Sequence, residues 1–174
     1  MPPKKSFKLL DIGCGEDRNA IFFARNGYNV TAFDLAKSGV EKTIKLANSL
    51  GLKVNAFQAN INEYRLNEKY DILFSTGSLH YIPKELRADI SSNYREFTSE
   101  DGIHMFSVFV KKPFIEAAPE KEKNSHEWLS GELFIYYNDW EIEYCIEEII
   151  NCNSNGIPHK HAMNRILAKK IKIG

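Results

Sequence analysis

Cysteine is scarce, charge is balanced and long apolar runs are missing, and each shortage removes a class of function. The three cysteines among 174 residues, Cys14, Cys145 and Cys152, are odd in number and form no Cys-x-x-Cys pair. A disulfide scaffold and a dithiol redox motif are therefore excluded, and free thiols are expected. The five histidines are scattered without paired metal-ligand spacing, which predicts no metal centre. Lys and Arg number 23 against 23 Asp and Glu. With zero net charge and no basic stripe, nucleic acid is not an expected partner; Lys4-Lys5 and Lys169-Lys170 with Lys172 read as solvated termini. No segment reaches the roughly 20 apolar residues of a membrane span, and the opening Met-Pro-Pro-Lys-Lys-Ser has no signal-peptide core, so a cytoplasmic protein without membrane contact is expected.

What is present is a globular composition, 43% hydrophobic and 12% aromatic, in a length that fits one domain over residues 1–174. The chain is organised around Leu9-Leu10-Asp11-Ile12-Gly13-Cys14-Gly15. An apolar run ends in an acid two residues before Gly-x-Gly, and an apolar-periodic segment starts at once, so the stretch reads as strand, tight turn and helix. Gly13 and Gly15 can take φ > 0 and have no Cβ, which lets a nucleotide-like ligand approach the backbone. A dinucleotide fingerprint needs a third glycine where Arg18 stands, so a pyrophosphate site is not predicted.

Alternating elements follow. A helix from Arg18 to Asn26 stops at Gly27; a strand Tyr28–Phe33 is closed by Asp34, 23 residues after Asp11, near the spacing at which an acid reaches a bound ribose. Asp34 either accepts two ribose hydroxyls or caps the next helix. That helix runs from about Ser38 to Leu50. A strand Val54–Ala59 leads into Asn60-Ile61, and a fourth strand, Tyr70–Phe74, into Ser75-Thr76-Gly77-Ser78-Leu79-His80-Tyr81-Ile82. Pro83 opens a helix to about Phe97, Asp101-Gly102 makes a turn, and Ile103–Val110 is the fifth strand. Five strands separated by four helical segments predict a doubly wound parallel α/β sheet. The polar stretch Lys111–Glu127, with Pro113 and Pro119, is a long loop suited to covering a site. A helix over Trp128–Tyr137 with Ser130 as cap, then strands Trp140–Cys152 and His159–Ile173 joined by Asn153–Gly156, complete a seven-stranded, mainly parallel sheet with a C-terminal antiparallel hairpin.

Asp11-Ile12-Gly13-Cys14-Gly15 with Arg18-Asn19, Gly27–Asp34, Tyr70–Thr76 and Tyr136–Glu141 together resemble class I S-adenosylmethionine-dependent methyltransferases, Rossmann-like in fold, and among them the tellurite-resistance branch. The resemblance implies S-adenosylmethionine as cofactor and a small-molecule methyl acceptor, possible acceptors including tellurite or selenite. It implies Asp11, Gly13, Cys14 and Gly15 at the amino-acid end, Arg18 at the carboxylate or else simply exposed, Asp34 with Leu35 at the ribose and Asn60 with Ile61 at the adenine. Ser75 and Thr76 fall near the methyl. Asn60 replaces a usual acid but keeps an amide oxygen as acceptor. His80 is the candidate base, with a structural histidine as the alternative, and Tyr81, Tyr136 and Tyr137 are either ring faces toward the sulfonium or core.

Three departures from the family pattern stand out. The chain begins a few residues before its first strand, where relatives carry a covering segment, which predicts a more open site. Asp17 replaces a glycine. Ile150, Asn151 and about Pro158 occupy the positions of a histidine, an arginine and a further arginine that grip an oxyanion; His159 and His161 are nearby but unmatched. A non-catalytic adenosylmethionine-binding or partner protein is the alternative function.

Overall fold

The computed structural model describes residues 6–16, 18–116, 125–153 and 156–172. The readings of Lys4-Lys5, Asp17, the central part of the long loop and Ser154-Asn155 lie outside these residues. The strands are β1 (Lys8–Ile12), β2 (Asn29–Asp34), β3 (Val54–Gln58), β4 (Tyr70–Thr76), β5 (Thr98–Val110), β6 (Glu141–Cys152) and β7 (His159–Lys169); the helices are α1 (Arg18–Arg25), α2 (Lys37–Ser49) and α3 (Lys84–Glu96). They form one sheet of order β3-β2-β1-β4-β5-β7-β6. β1 to β5 pair in parallel, and β7 runs antiparallel between β5 and β6.

Both faces of the sheet are covered, which is why its central strands read as continuous apolar runs. Leu9, Val30, Ala32 and Ile72 pack on the α1 face. Leu10, Ile12, Phe33 and Leu73 pack on the other, with Ile90 and Tyr94 of α3 and with Trp128 and Tyr137. The chain winds outward from β1 through β2 to β3 and then returns to build β4 and β5 on the opposite side. The order thus reverses between β1 and β4, and a ligand crevice opens beyond the carboxyl ends of strands at such a point.

Three expectations are corrected. Only three helical crossovers form among the described residues, because residues 59–69 run as turns. Asn60 Oδ1 accepts the Asn62 N–H at 3.0 Å, the Arg65 guanidinium takes the carbonyls of Asn62 and Tyr64, and the Asn93 amide pairs with both backbone groups of Leu66. Asp101-Gly102 does not end a turn before β5 but sits inside that strand as an irregularity, with Asp101 at φ 60°. Trp128–Tyr137 forms turns and a short 3-10 segment, Phe134–Tyr137, instead of a helix. Gly131 at φ 74° interrupts it, and Ser130 donates to Glu147 instead of capping.

Beneath that segment lies a closed polar chain. The Thr98 hydroxyl donates to the Tyr94 carbonyl at 2.6 Å, so His104 Nε2–H donates to Thr98 Oγ1 at 2.7 Å and His104 Nδ1 accepts the Tyr137 hydroxyl at 2.9 Å. Burial, with repulsion from Arg95 and Lys170, pushes the His104 pKa from 6.5 down to about 3. Between those values the unfolded chain holds the extra proton, so stability falls as pH falls. A urea titration of wild type against His104→Gln is expected to isolate a loss on the order of 3 kcal/mol between pH 6.5 and 4, present in wild type only.

Candidate functional site

The crevice is built from the ends of β1 and β2. Gly13 and Gly15 adopt φ of 70° and 57°, and the N–H groups of Gly13 and Cys14 both donate to the Phe33 carbonyl at 2.9 and 3.0 Å. The turn is thereby locked to β2 before any ligand arrives. A Cβ on Gly15 would meet nothing within 4 Å, so this face of the loop is open. Gly13 differs: a Cβ there would strike Ser78 Oγ at 2.2 Å, and Ser78 donates to the Gly13 carbonyl at 3.0 Å. The missing Cβ of Gly13 makes room for the loop after β4.

Two carboxyls face this turn. Asp34 Oδ2 accepts the Gly15 N–H and Oδ1 the Ala36 N–H, each at 2.8 Å. It caps the following turn and holds the glycine loop at once. A carboxylate offers about four acceptor positions, so each oxygen retains one. Asp11 is 1% exposed, and its Oδ2 has no hydrogen-bond partner among the described residues. Burial, followed by repulsion from Asp34, raises its pKa from 3.8 to about 7; the Ala20 amide is the opposing influence. A buried acid and a second acid, with no compensating side-chain cation among the described residues, make a site that favours positive charge.

The remaining predicted residues divide. Arg18 is exposed at the first position of α1, Leu35 is 64% exposed beside Asp34, and Ile61 is buried next to Asn60. The Asn60 amide oxygen already accepts the Asn62 N–H, and its amide nitrogen donates to Glu63 at 2.9 Å. Cys14 is buried, and desolvation, then Asp11 and Asp34, pushes its thiol to about 12, so its side chain is inert and its backbone is what the turn uses. Ser75 points into the sheet and donates to the Ile12 carbonyl at 3.0 Å; Thr76 is exposed and accepts from Ser107 at 3.0 Å. His80 is buried against the rings of Tyr81 and Phe109, 4.3 and 5.0 Å between centroids. Tyr137 belongs to the core, and Tyr136 packs on Trp128. A cavity of about 290 Å³ bounded by Arg95, Asp139, Trp140 and Lys170 lies at the opposite, amino edge of the sheet and contains none of these residues.

Gly39 was not singled out by motif, yet it decides how closely α2 approaches the turn. A Cβ there would sit 2.7 Å from the Gly15 carbonyl oxygen. In an ordinary helix Gly→Ala stabilises by about 1 kcal/mol. Gly39→Ala is expected to do the reverse, lowering the urea midpoint and weakening ligand binding at the Gly15 loop at least tenfold. The signal available in the sequence was a glycine in the first turn of a helix, where alanine is otherwise preferred.

The family model of the tellurite resistance protein TehB matches residues 4–166. The chain belongs to the TehB family. Among TehB relatives, the probable S-adenosyl-L-methionine-dependent methyltransferase TehB of Haemophilus influenzae is 28% identical over 166 residues, covering 94% of this chain and 57% of the relative. The crystal structure of TehB from Haemophilus influenzae superposes with a TM-score of 0.86 at 25% identity, over 96% of this chain and 58% of that one. The ubiquinone biosynthesis O-methyltransferase of Rickettsia canadensis is 33% identical over 110 residues, covering 62% of this chain and 46% of the relative. The chain thus spans a little over half the length of the TehB relatives it matches, and its sheet is the Rossmann-like class I arrangement. No helix among the described residues is long and apolar enough to cross a membrane.

Cys152, His159 and His161 place one ligand atom each within 4.8 Å of one another, the His-x-His pair on a strand putting both rings on one face.

Proposed function

We propose that the chain is a methyltransferase that uses S-adenosylmethionine and a small nucleophilic acceptor, and that residues 1–174 act as one domain. The observation that carries this reading is Asp11: a buried carboxyl with an unpartnered oxygen and a raised pKa beside the open Gly15 loop, complementary to a ligand bearing an ammonium and a sulfonium. The residues present fit that ligand. Asp11 takes the ammonium end with the backbone of Gly13, Cys14 and Gly15. The free acceptor positions of Asp34 take the ribose hydroxyls. Leu35 and Ile61 cover the adenine, Asn60 receives its amino group through the remaining lone pair of Oδ1, and Arg18 reaches the carboxylate.

When bound, the cofactor supplies a methyl group on a positively charged sulfur. The work of the protein is then orientation: holding an acceptor about 3 to 3.5 Å from that methyl supplies much of the acceleration. In this reading Ser75 and Thr76, at the end of β4, fall near the methyl, and Ser78 of the following loop rests on Gly13. An ionised acceptor such as tellurite or selenite needs no base, which suits the ring-packed position of His80. A second reading, cofactor binding without transfer, is favoured by Ile150, Asn151 and Pro158 at the positions of the oxyanion grip.

The test is formation of S-adenosylhomocysteine in the presence of tellurite, selenite and a panel of thiols, amines and phenols. Acceptor-dependent product in wild type, with affinity for S-adenosylhomocysteine lowered roughly 100-fold in Asp34→Ala through loss of charge-assisted bonds, supports transfer. Binding without product across the panel supports the second reading, and failure to bind defeats both.

A further inference from the structure

We infer that the β6–β7 hairpin carries a transition-metal site made by Cys152, His159 and His161. The register of the hairpin assembles it. Cys152 stands directly opposite His159, and His161 follows two residues later on the same face of β7. The three ligand atoms lie within 4.8 Å of one another, and all three residues are partly exposed, so an ion has both donors and a way in.

The His159 imidazole is already set for coordination. His159 Nδ1–H donates to the Ile157 carbonyl at 2.8 Å, which fixes its tautomer and leaves the Nε2 lone pair outward. A backbone carbonyl on the second ring nitrogen is how metal-ligating histidines are usually oriented. His159 Nε2 and His161 Nε2 are 2.9 Å apart. Two metal–nitrogen bonds of about 2.05 Å span roughly 2.9 Å at a right angle and ~3.3 Å at the tetrahedral angle, so small ring movements bring both onto one ion. The His161 ring is braced by Phe109, 4.6 Å between centroids.

The donor set selects the metal. One thiolate and two imidazoles, without a carboxylate among them, disfavour Mg²⁺ and Ca²⁺ and suit Zn²⁺ and similar borderline ions. Binding forms one metal–sulfur and two metal–nitrogen bonds. The Cys152 thiol proton goes to solvent, and the proton on His161 Nε2 moves to Nδ1. Three protein ligands leave a fourth position for water or a small anion. Two strands, β4 and β5, separate β7 from β1, so the site is distinct from the Asp11–Asp34 crevice and does not rest on the methyl-transfer reading.

The test is titration of the reduced, metal-free protein with Co²⁺, without any adenosyl ligand. One equivalent is expected to give thiolate-to-cobalt charge-transfer absorption and the intense visible bands of a four-coordinate ion, both abolished by stoichiometric Zn²⁺. Cys152→Ser is expected to remove the charge-transfer band, Cys145→Ser to retain it, and His161→Gln to weaken binding at least tenfold with unchanged far-ultraviolet circular dichroism. Absence of the band, its survival in Cys152→Ser, or indifference to His161→Gln overturns the assignment.

Discussion

Asp11→Asn is expected to make the unliganded chain more stable and to weaken binding of its ligand at least 100-fold. The folded-state pKa of Asp11 is raised from 3.8 to about 7 by burial and by Asp34. Between those values the unfolded state has lost the proton that the folded state keeps, so stability declines as pH rises through this window and stays low above it. At 1.36 kcal/mol per pKa unit the penalty at pH 8 is on the order of 4 kcal/mol, and at pH 5 nearer 2 kcal/mol. Asparagine removes the ionisation while keeping the shape. Urea unfolding of wild type and Asp11→Asn should therefore diverge as pH rises, the variant being the more stable. The same substitution deletes the charge complementary to the ligand's ammonium, so binding falls by at least 100-fold. A stabilised but inactive variant is the signature of a residue held at a functional site against its own folding preference. A variant less stable than wild type at pH 8 contradicts this account.

Arg87→Ala is expected to act in the opposite sense, as the largest loss of stability from one surface-type residue. Arg87 is buried, pairs with Glu132 at 2.7 Å and donates to the carbonyls of Ile82 and His126 at 3.2 and 2.7 Å. Its guanidinium also lies 4.3 Å from the Trp128 ring. One side chain thus fastens α3 to the segment that begins at His126, where the His126 N–H meets the His80 carbonyl at 2.5 Å. Removing it leaves the largely buried Glu132 carboxylate uncompensated, which costs about 3–5 kcal/mol. For a chain of this size that corresponds to a melting temperature lower by roughly 10 °C. Arg87→Met with Glu132→Leu should recover most of the loss, because no charge is then stranded. A loss in Arg87→Ala below about 1 kcal/mol would show that the segment is held by its rings alone.

The parts legible in the sequence were those written in local pattern. The Asp11–Gly15 turn announced itself because an acid, two glycines and a change of hydrophobic period fall within a few residues, and Asp34 by its distance from it. The parallel sheet was legible because strands buried on two faces are apolar at most positions. What was hidden depends on partners far away in sequence. Gly131, at φ 74°, breaks the expected helix, and the Glu132 side chain beside it is drawn to Arg87. Asn60 spends its oxygen on a local turn that competes with a helix between β3 and β4. Ser78 lies against Gly13 only once β4 has docked beside β1. Cys152 joins His159 and His161 only through the register of a hairpin.

The central claim is that Asp11 and Asp34 receive a cationic adenosyl ligand, and calorimetric titration with S-adenosylhomocysteine in buffers of different ionisation enthalpy addresses it most directly. The ammonium of the ligand lowers the Asp11 pKa from about 7, so binding at pH 6 should release close to one proton and binding at pH 8 almost none. Asp11→Asn should show no release at either pH, and NAD should not bind. Tight binding at pH 6 with no proton released, unchanged by Asp34→Ala, would place the ligand elsewhere and contradict the account.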